Sequence, residues 1–241
     1  MENKSFRMGI RDGLPVCIGY LSVAFAFGIF ATGSGLTVFE AVMISLFNVT
    51  SAGQLAGVPI IAAGGSLVEL AMTQLVINSR YALMSVSLSQ KFGESVRIRD
   101  RFPIAFVNTD EVFAIASAKE GSVGRKYMYG LIITPVVGWT SGTLIGAVAG
   151  NILPLIVISA LGIAIYAMFV AIVVPAAKTD KATALCALLS VMLSCIFNFV
   201  PILSIIPSGF VIIICAVAAA AVFAIAAPIP DADEGLVGGE E

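Results

Sequence analysis

The stretch NVTSAGQLAGVP, residues 48–59, lies in the middle of an apolar segment that covers residues 41–64. It interrupts that segment with polar side chains, glycines and a proline. Backbone that breaks at membrane depth is tolerated only where protein or a watery cavity surrounds it. The stretch therefore predicts a broken membrane helix. Small residues at its tip, Ser51 and Gly53 beside Gln54, would leave backbone groups free to bind a small solute.

A second interrupted segment covers residues 102–118, and its sequence FPIAFVNTDEVFAIA (102–116) has polar and acidic residues at the centre. Asp110 and Glu111 are adjacent, so on a regular helix they point about 100° apart. One could pair with a cation while the other caps a half-helix or titrates. Because the chain has no histidine, any proton carrier would be Glu69, Asp110 or Glu111. Two acids solvated near the cytoplasmic surface are the alternative.

Composition sets the class of protein. Of 241 residues, 59% are hydrophobic and 12% are charged, whereas soluble domains carry about 25% charged residues. Several apolar runs are long enough to cross a bilayer, and no alternating segments typical of a membrane barrel occur. We predict an all-α, polytopic helical membrane protein with a single integral membrane domain. Residues 6–227 would form its core and residues 228–241 an acidic cytoplasmic tail.

The distribution of basic residues predicts the topology. Apart from Arg80, every lysine and arginine lies within 4–11, 91–101, 119–126 or 178–181. The positive-inside rule places these on the cytoplasmic face, which requires segments 41–64 and 102–118 each to enter and leave on one side. The prediction is about five full spans plus two re-entrant or broken segments, with both termini cytoplasmic. The alternative is eight crossings with the 91–101 loop outside.

Segment 66–89 carries an arginine far from any polar loop. A charge near the bilayer centre costs at least about 2.5–3.5 kcal/mol, so Arg80 is a candidate functional residue. Its planar fork suits a substrate carboxylate, with help from Asn78 and Gln54. The alternatives are a structural ion pair with Asp110 or Glu111, or a snorkelling side chain. A helical wheel places the polar residues of this segment on two stripes: Glu69, Thr73, Arg80 and Ser87, and Gln74, Asn78, Tyr81, Ser85 and Ser89.

A strip of glycines recurs at every fourth position of the segment 127–149 and just beyond it. Such a strip lets another helix approach closely in lipid, either from this chain or from a partner. Its members are Gly138, Gly142, Gly146 and Gly150.

No enzyme motif occurs in the sequence. It contains no phosphate loop, HExxH or GxSxG, and without histidine it has no His-based relay. The basic clusters lack interleaved aromatics, so nucleic acid is not indicated. We expect no enzymatic activity, no cofactor and no metal.

Four stretches together resemble a known family. FRMGIRDGLPVCIGYLSVAFAFGIFA (6–31), TSAGQ (50–54), NSRYALMSVSLS (78–89) and NTDEVFA (108–114) resemble, in order and spacing, the AzlC-like branched-chain amino acid permeases. The resemblance spans roughly residues 6–227. It implies the large subunit of an exporter that works with a small AzlD-like membrane partner. The residues it points to are Gln54, Asn78, Arg80, Asp110 and Glu111.

The chain departs from the family pattern at two positions. Tyr81 stands where members often have histidine after the arginine. At the tip, glycine directly precedes Gln54, where the family usually reads more like A-G-x-x-Q. Both differences bear on substrate identity and proton coupling.

The residues and this resemblance together predict a secondary transporter in the bacterial inner membrane. The resemblance implies export of branched-chain or related apolar amino acids such as valine, and the intramembrane acids suggest coupling to protons. Two alternatives stay open: a passive channel for small polar solutes, or a membrane scaffold subunit without transport of its own. The predicted substrate-binding residues are Ser51, Gly53, Gln54, Asn78, Arg80 and Tyr81.

Overall fold

The computed structural model describes residues 5–150, 152–154, 156, 170, 173–203 and 205–227. Within these residues the secondary structure is helical, apart from an isolated bridge between Phe92 and Val123. The chain divides into two compact units, Met1–Met168 and Phe169–Glu241. The predicted acidic tail, 228–241, lies outside the described residues.

In the first unit, three long helices alternate in sequence with two broken segments, each made of two short helices. The helices are α1 (Phe6–Gly33), α2 (Val38–Phe47), α3 (Ser51–Ala62), α4 (Leu67–Ser89), α5 (Ile98–Phe106), α6 (Asp110–Ser117) and α7 (Arg125–Gly150). The second unit contains α8 (Lys181–Phe199) and α9 (Ser208–Ala226), which pack against each other.

α1 and α7 form the closest helix pair in the first unit. Small residues let their backbones meet: a Cβ built on Gly142 would lie 2.5 Å from the carbonyl oxygen of Leu21, and one built on Gly13 would lie 2.9 Å from that of Leu131. Residue numbers rise together along the contact, so the two helices run parallel. The remaining glycines of the strip, Gly138, Gly146 and Gly150, also face α1. The strip therefore packs within this chain.

Replacing Gly142 with leucine should destabilise the protein, because the new side chain would meet the α1 backbone. We expect a loss of about 1–3 kcal/mol or more in the free energy of unfolding, measured as a lower thermal midpoint in detergent. Gly19→Leu on α1 is the matched control, since a Cβ there meets nothing within 4 Å. Equal midpoints for the two variants would contradict this packing.

One end of the first unit, here called the basic end, gathers the N-termini of α1 and α7. Lys119 Nζ lies 2.6 Å from Asp12 Oδ2 of α1. Arg125 Nε lies 3.1 Å from Asp100 Oδ1 of α5. The backbone N–H of Arg125 also donates to Ser95 Oγ at 2.9 Å, which holds the 91–97 loop at the same end. The basic loops 91–101 and 119–126 therefore share one face, as the charge distribution predicted.

The two broken segments are hairpins that enter from opposite ends. α5 begins and α6 ends at the basic end, so their hairpin re-enters from that side. α4 rises about 34 Å over its 23 residues, which places Leu67 at the end opposite Ser89. The α2–α3 hairpin lies between the end of α1 and the start of α4, so it re-enters from the opposite end. The eight-crossing alternative does not fit this arrangement.

Each hairpin follows a long helix, and each breaks over three residues of similar composition. The first break is 48–50 (Asn, Val, Thr) and the second is 107–109 (Val, Asn, Thr). Thr50 caps α3 by accepting from Gly53 N at 3.3 Å, and Thr109 caps α6 by accepting from Val112 N at 3.5 Å. The sets α1–α3 and α4–α6 thus have the same plan in opposite orientation, as in transporters built from inverted repeats.

Five of the described helices are long enough to be full spans. α1, α7, α8 and α9 are long and apolar enough to cross a membrane, and α4 has the length but carries polar stripes. This is a polytopic helical membrane protein with two broken segments. The predicted apolar segment 153–175 lies mostly outside the described residues, so the number of full crossings and the side of the C-terminus stay predictions.

Candidate functional site

The tips of the two hairpins converge on the middle of α4 around one cavity. The cavity has a volume of about 260 Å³, below the roughly 300–1,000 Å³ of pockets for drug-sized ligands, so its size suits a small solute. Each break and α4 contribute polar side chains to its wall. The lining residues are Phe47, Asn48, Val49, Thr50, Asn78, Tyr81, Ala105, Phe106, Asn108 and Thr109.

Gln74 of α4 links three elements beside this cavity. Its Oε1 accepts from Asn48 Nδ2 at 3.1 Å and from Asn78 Nδ2 at 3.2 Å. Its Nε2 donates to the carbonyl oxygen of Gly53 at 2.8 Å. One side chain therefore fixes the first break, the first turn of α3 and the cavity-facing stripe of α4 relative to one another.

The second break is joined to α4 in a similar way. Asn108 Nδ2 donates to Ser85 Oγ at 3.2 Å, and the residue is 2% exposed. Asn78 Oδ1 and Asn108 Oδ1 are both buried without a hydrogen-bond partner among the described residues. A buried acceptor without a partner costs about 1–3 kcal/mol, a cost that a bound donor would offset.

The two acids that begin α6 each pair with a different helix. Asp110 Oδ2 lies 2.9 Å from Arg80 NH2 of α4, and both side chains are about half exposed. Arg80 also donates to the hydroxyl of Tyr81 at 3.0 Å and lies over its ring at 4.8 Å. Glu111 accepts from the hydroxyl of Tyr20 on α1. With the Asn108–Ser85 hydrogen bond, the tip of the second hairpin is thus held between α1 and α4 by one ion pair and two hydrogen bonds.

The two half-helix N-termini at the cavity differ in charge. An α-helix N-terminus carries a partial positive charge and leaves backbone N–H groups without intrahelical partners. α3 has no acidic residue in its first turn, whereas α6 has Asp110 and Glu111. The α3 tip therefore presents partial positive charge with no acid beside it, whereas at the α6 tip two acids oppose the helix charge and one of them, Asp110, is paired with Arg80.

Gln54 does not reach this cavity. Its Nε2 donates to Ser45 Oγ at 3.0 Å, and Ser45 Oγ lies 2.6 Å from Thr143 Oγ1 of α7. Gln54 lies about one turn inside α3, roughly 6 Å of rise beyond Thr50, so it faces α2 and α7. It lines a second cavity of about 220 Å³ between α2, α3 and α4. The predicted grouping of Gln54 with Asn78 and Arg80 around one carboxylate is therefore corrected.

The other predicted residues fall into three places. Asn78 and Tyr81 line the first cavity, and Gly53 contacts the Gln74 amide. Ser51 is half-buried in the first turn of α3. Glu69 is 5% exposed in the first turn of α4, about 16 Å of helix rise from Arg80. It is therefore not part of the cluster formed by Asp110 and Glu111.

Sequence reasoning missed several residues of the site. It placed Gln74 on a polar stripe of α4 but did not assign it as the link between hairpin and helix. It noted the polar centres of both broken segments without selecting Asn48 or Asn108. Tyr20 lies in an apolar stretch of α1, and nothing in the local pattern indicates its partner Glu111.

The fold and cavity define a class: a polytopic helical membrane protein with two half-helix tips meeting at membrane depth. A family model described as AzlC protein matches residues 15–153, which include both hairpins and the whole cavity. The chain belongs to the AzlC family.

Two relatives illustrate the extent of the similarity. The inner membrane protein YgaZ of Escherichia coli (strain K12) is 35% identical over 151 residues, covering 61% of this chain and 62% of YgaZ. An uncharacterized membrane protein of Archaeoglobus fulgidus is 32% identical over 181 residues, covering 73% of this chain and 78% of that protein. The match thus spans less than two thirds of the length of YgaZ. No solved structure matches the chain.

Proposed function

We propose that the protein is a secondary transporter that exports branched-chain or related apolar amino acids across the bacterial inner membrane. The observation that carries the proposal is the cavity of about 260 Å³ where both hairpin tips meet α4. Half-helix tips that meet at the interface of inverted repeats form the substrate sites of many secondary transporters. The size and polar lining of the cavity suit a small zwitterion.

The charge difference between the tips supports an α-amino acid as the substrate. A carboxylate would lie against the free backbone N–H groups of α3, beside Thr50. An ammonium would lie towards α6, where Asn108 retains an unused amide acceptor and Asp110 and Glu111 supply negative charge. The two charged groups of one amino acid would thus face the two tips.

Arg80 has a different proposed role from the direct carboxylate ligand expected from the sequence. It pairs with Asp110 in this conformation, so we propose that it exchanges partners during transport and sets the position of the second tip. Glu111, hydrogen-bonded to Tyr20, is the proposed proton carrier. Protonation of Glu111 would weaken the attraction of the second tip for an ammonium group and so couple release to protons.

A small AzlD-like membrane protein is the proposed partner, with the N- and C-termini of this chain in the cytoplasm. Support for the partner comes from the family resemblance alone. The gathering of basic residues at one end supports the cytoplasmic orientation of that end.

The test is efflux of labelled valine from bacterial cells that express the protein alone or with a small AzlD-like partner. We expect saturable efflux in at least one of the two conditions. Asn78→Ala should reduce it by at least about tenfold, because it removes the unpaired Oδ1 that the cavity offers to a donor of the substrate, and a hydrogen bond to a charged group contributes about 1.5–3 kcal/mol. Ser79→Ala is the control, because Ser79 is exposed and its hydroxyl donates to Val76 O of its own helix.

Two outcomes would contradict the proposal. Flux that rises linearly with valine concentration and is insensitive to Asn78→Ala would favour a passive channel. No flux with the partner present would favour a scaffold subunit.

A further inference from the structure

The second cavity, between α2, α3 and α4, differs in chemistry from the first. Its volume is about 220 Å³, and its wall is dominated by aliphatic and aromatic side chains: Ile44, Phe47, Val58, Ile61 and Leu70. An apolar cavity of this kind gains free energy from a hydrocarbon group, and burial of each methylene contributes about 0.8 kcal/mol.

The two cavities are neighbours. Phe47 and Asn48 line both of them. Between them lie the hydrogen bonds from Asn48 and Asn78 to Gln74, and Gln74 itself lines the second cavity. A solute with its polar groups in the first cavity would therefore need to pass only this amide layer to place an apolar group in the second.

Gly57 of α3 lies in the wall of the second cavity, opposite α4. A Cβ built on Gly57 would lie 3.3 Å from Gln74 Nε2 and 3.4 Å from Leu70 Cδ1. Both neighbours are lining residues, so an added methyl group would occupy space between α3 and α4 at the wall. The contacts are tight but do not require backbone movement, because Gln74 Nε2 and Leu70 Cδ1 are both at the ends of side chains.

We propose that the second cavity receives the aliphatic side chain of the transported amino acid, and that Gly57 and Leu70 set the size of side chain it accepts. This proposal rests on the function proposed above, since it takes the first cavity as the site of the charged groups. It makes the two residues specificity-determining positions, with Gln74 as the boundary between the polar and apolar compartments.

The test is equilibrium binding of labelled alanine, valine and leucine to the full-length protein in lipid nanodiscs. For the unaltered protein, affinity should rise by about fourfold for each methylene that enters the cavity, which corresponds to about 0.8 kcal/mol. Gly57→Ala should weaken leucine binding by about tenfold or more, the discrimination that one excess methyl group causes in an apolar pocket, and leave alanine binding nearly unchanged. Leu70→Ala should instead improve binding of labelled phenylalanine relative to alanine.

Gly19→Ala is the control for a glycine-to-alanine change, because its surroundings are open. It should alter no affinity. If both Gly57→Ala and Leu70→Ala change the affinities for small and large amino acids by the same factor, or leave them unchanged, the assignment of the second cavity is overturned. Absence of any amino acid binding to the unaltered protein would instead refute the proposed function, so the two failures are distinguishable.

Discussion

Replacing Arg80 with alanine should lower the initial rate of valine efflux by at least tenfold, the equivalent of about 1.4 kcal/mol. The change removes the 2.9 Å ion pair with Asp110 and the contacts with Tyr81. It leaves an acid at membrane depth without its cation, where lone charges are costly. The tip of the second hairpin would then keep only its hydrogen bonds to Tyr20 and Ser85 among the attachments described above. Arg80→Lys should restore efflux only in part, since lysine lacks the planar fork that can hold Asp110 and Tyr81 together.

The control for this prediction is Arg99→Ala, at an exposed position in the first turn of α5, which should transport at the unaltered rate. All variants must insert normally, as judged by membrane abundance. Unimpaired efflux from both Arg80 variants would rule out the role proposed for this residue.

Replacing Gln74 with leucine should have the largest effect on stability and also abolish valine binding. The substitution keeps the size of the side chain but removes the acceptor for Asn48 and Asn78 and the donor to Gly53 O. Each buried polar group left without a partner costs about 1–3 kcal/mol, so the three together should cost about 3 kcal/mol or more. We expect a marked fall in the thermal midpoint in detergent, together with loss of labelled valine binding in nanodiscs.

Gln90→Leu is a matched control at the exposed end of α4. It makes the same chemical change away from the hairpins and should alter neither measurement. A Gln74→Leu protein that melts and binds valine like the Gln90→Leu protein would mean that the amide network does not hold the site.

Local sequence patterns were sufficient to predict where the chain breaks. Asn, Thr and Asp are frequent at helix ends because their side chains bond to free backbone groups. The first break has Asn48 two residues before the capping Thr50, and the second has Asn108 directly before the capping Thr109. The position of the basic loops was sufficient to predict that both segments re-enter. The glycine strip predicted a close helix contact, and the structure identifies α1 as its partner.

Long-range pairing could not be predicted in the same way. Tyr20 and Glu111 lie 91 positions apart in the sequence, and no local period relates them. Gln54 was assigned to the tip because it closely follows the break 48–50 in sequence. A residue one turn into a helix is displaced along the helix axis, however, and Gln54 faces Ser45 of α2 instead. The wheel correctly grouped Gln74 with Asn78 on α4, while the identity of what they contact depends on the packing of α2 and α3.

The central claim is that the cavity between the two hairpin tips is the amino acid site, and substrate protection of a lining cysteine tests it most directly. In a background with Cys17, Cys186, Cys195 and Cys215 replaced, Ala105→Cys places a thiol on the cavity wall at an exposed position. Ala82→Cys, exposed on α4 and outside the lining, is the control. Saturating valine should slow maleimide alkylation of the cysteine at position 105 and leave that at position 82 unchanged. Equal alkylation rates at position 105 with and without valine would contradict the account.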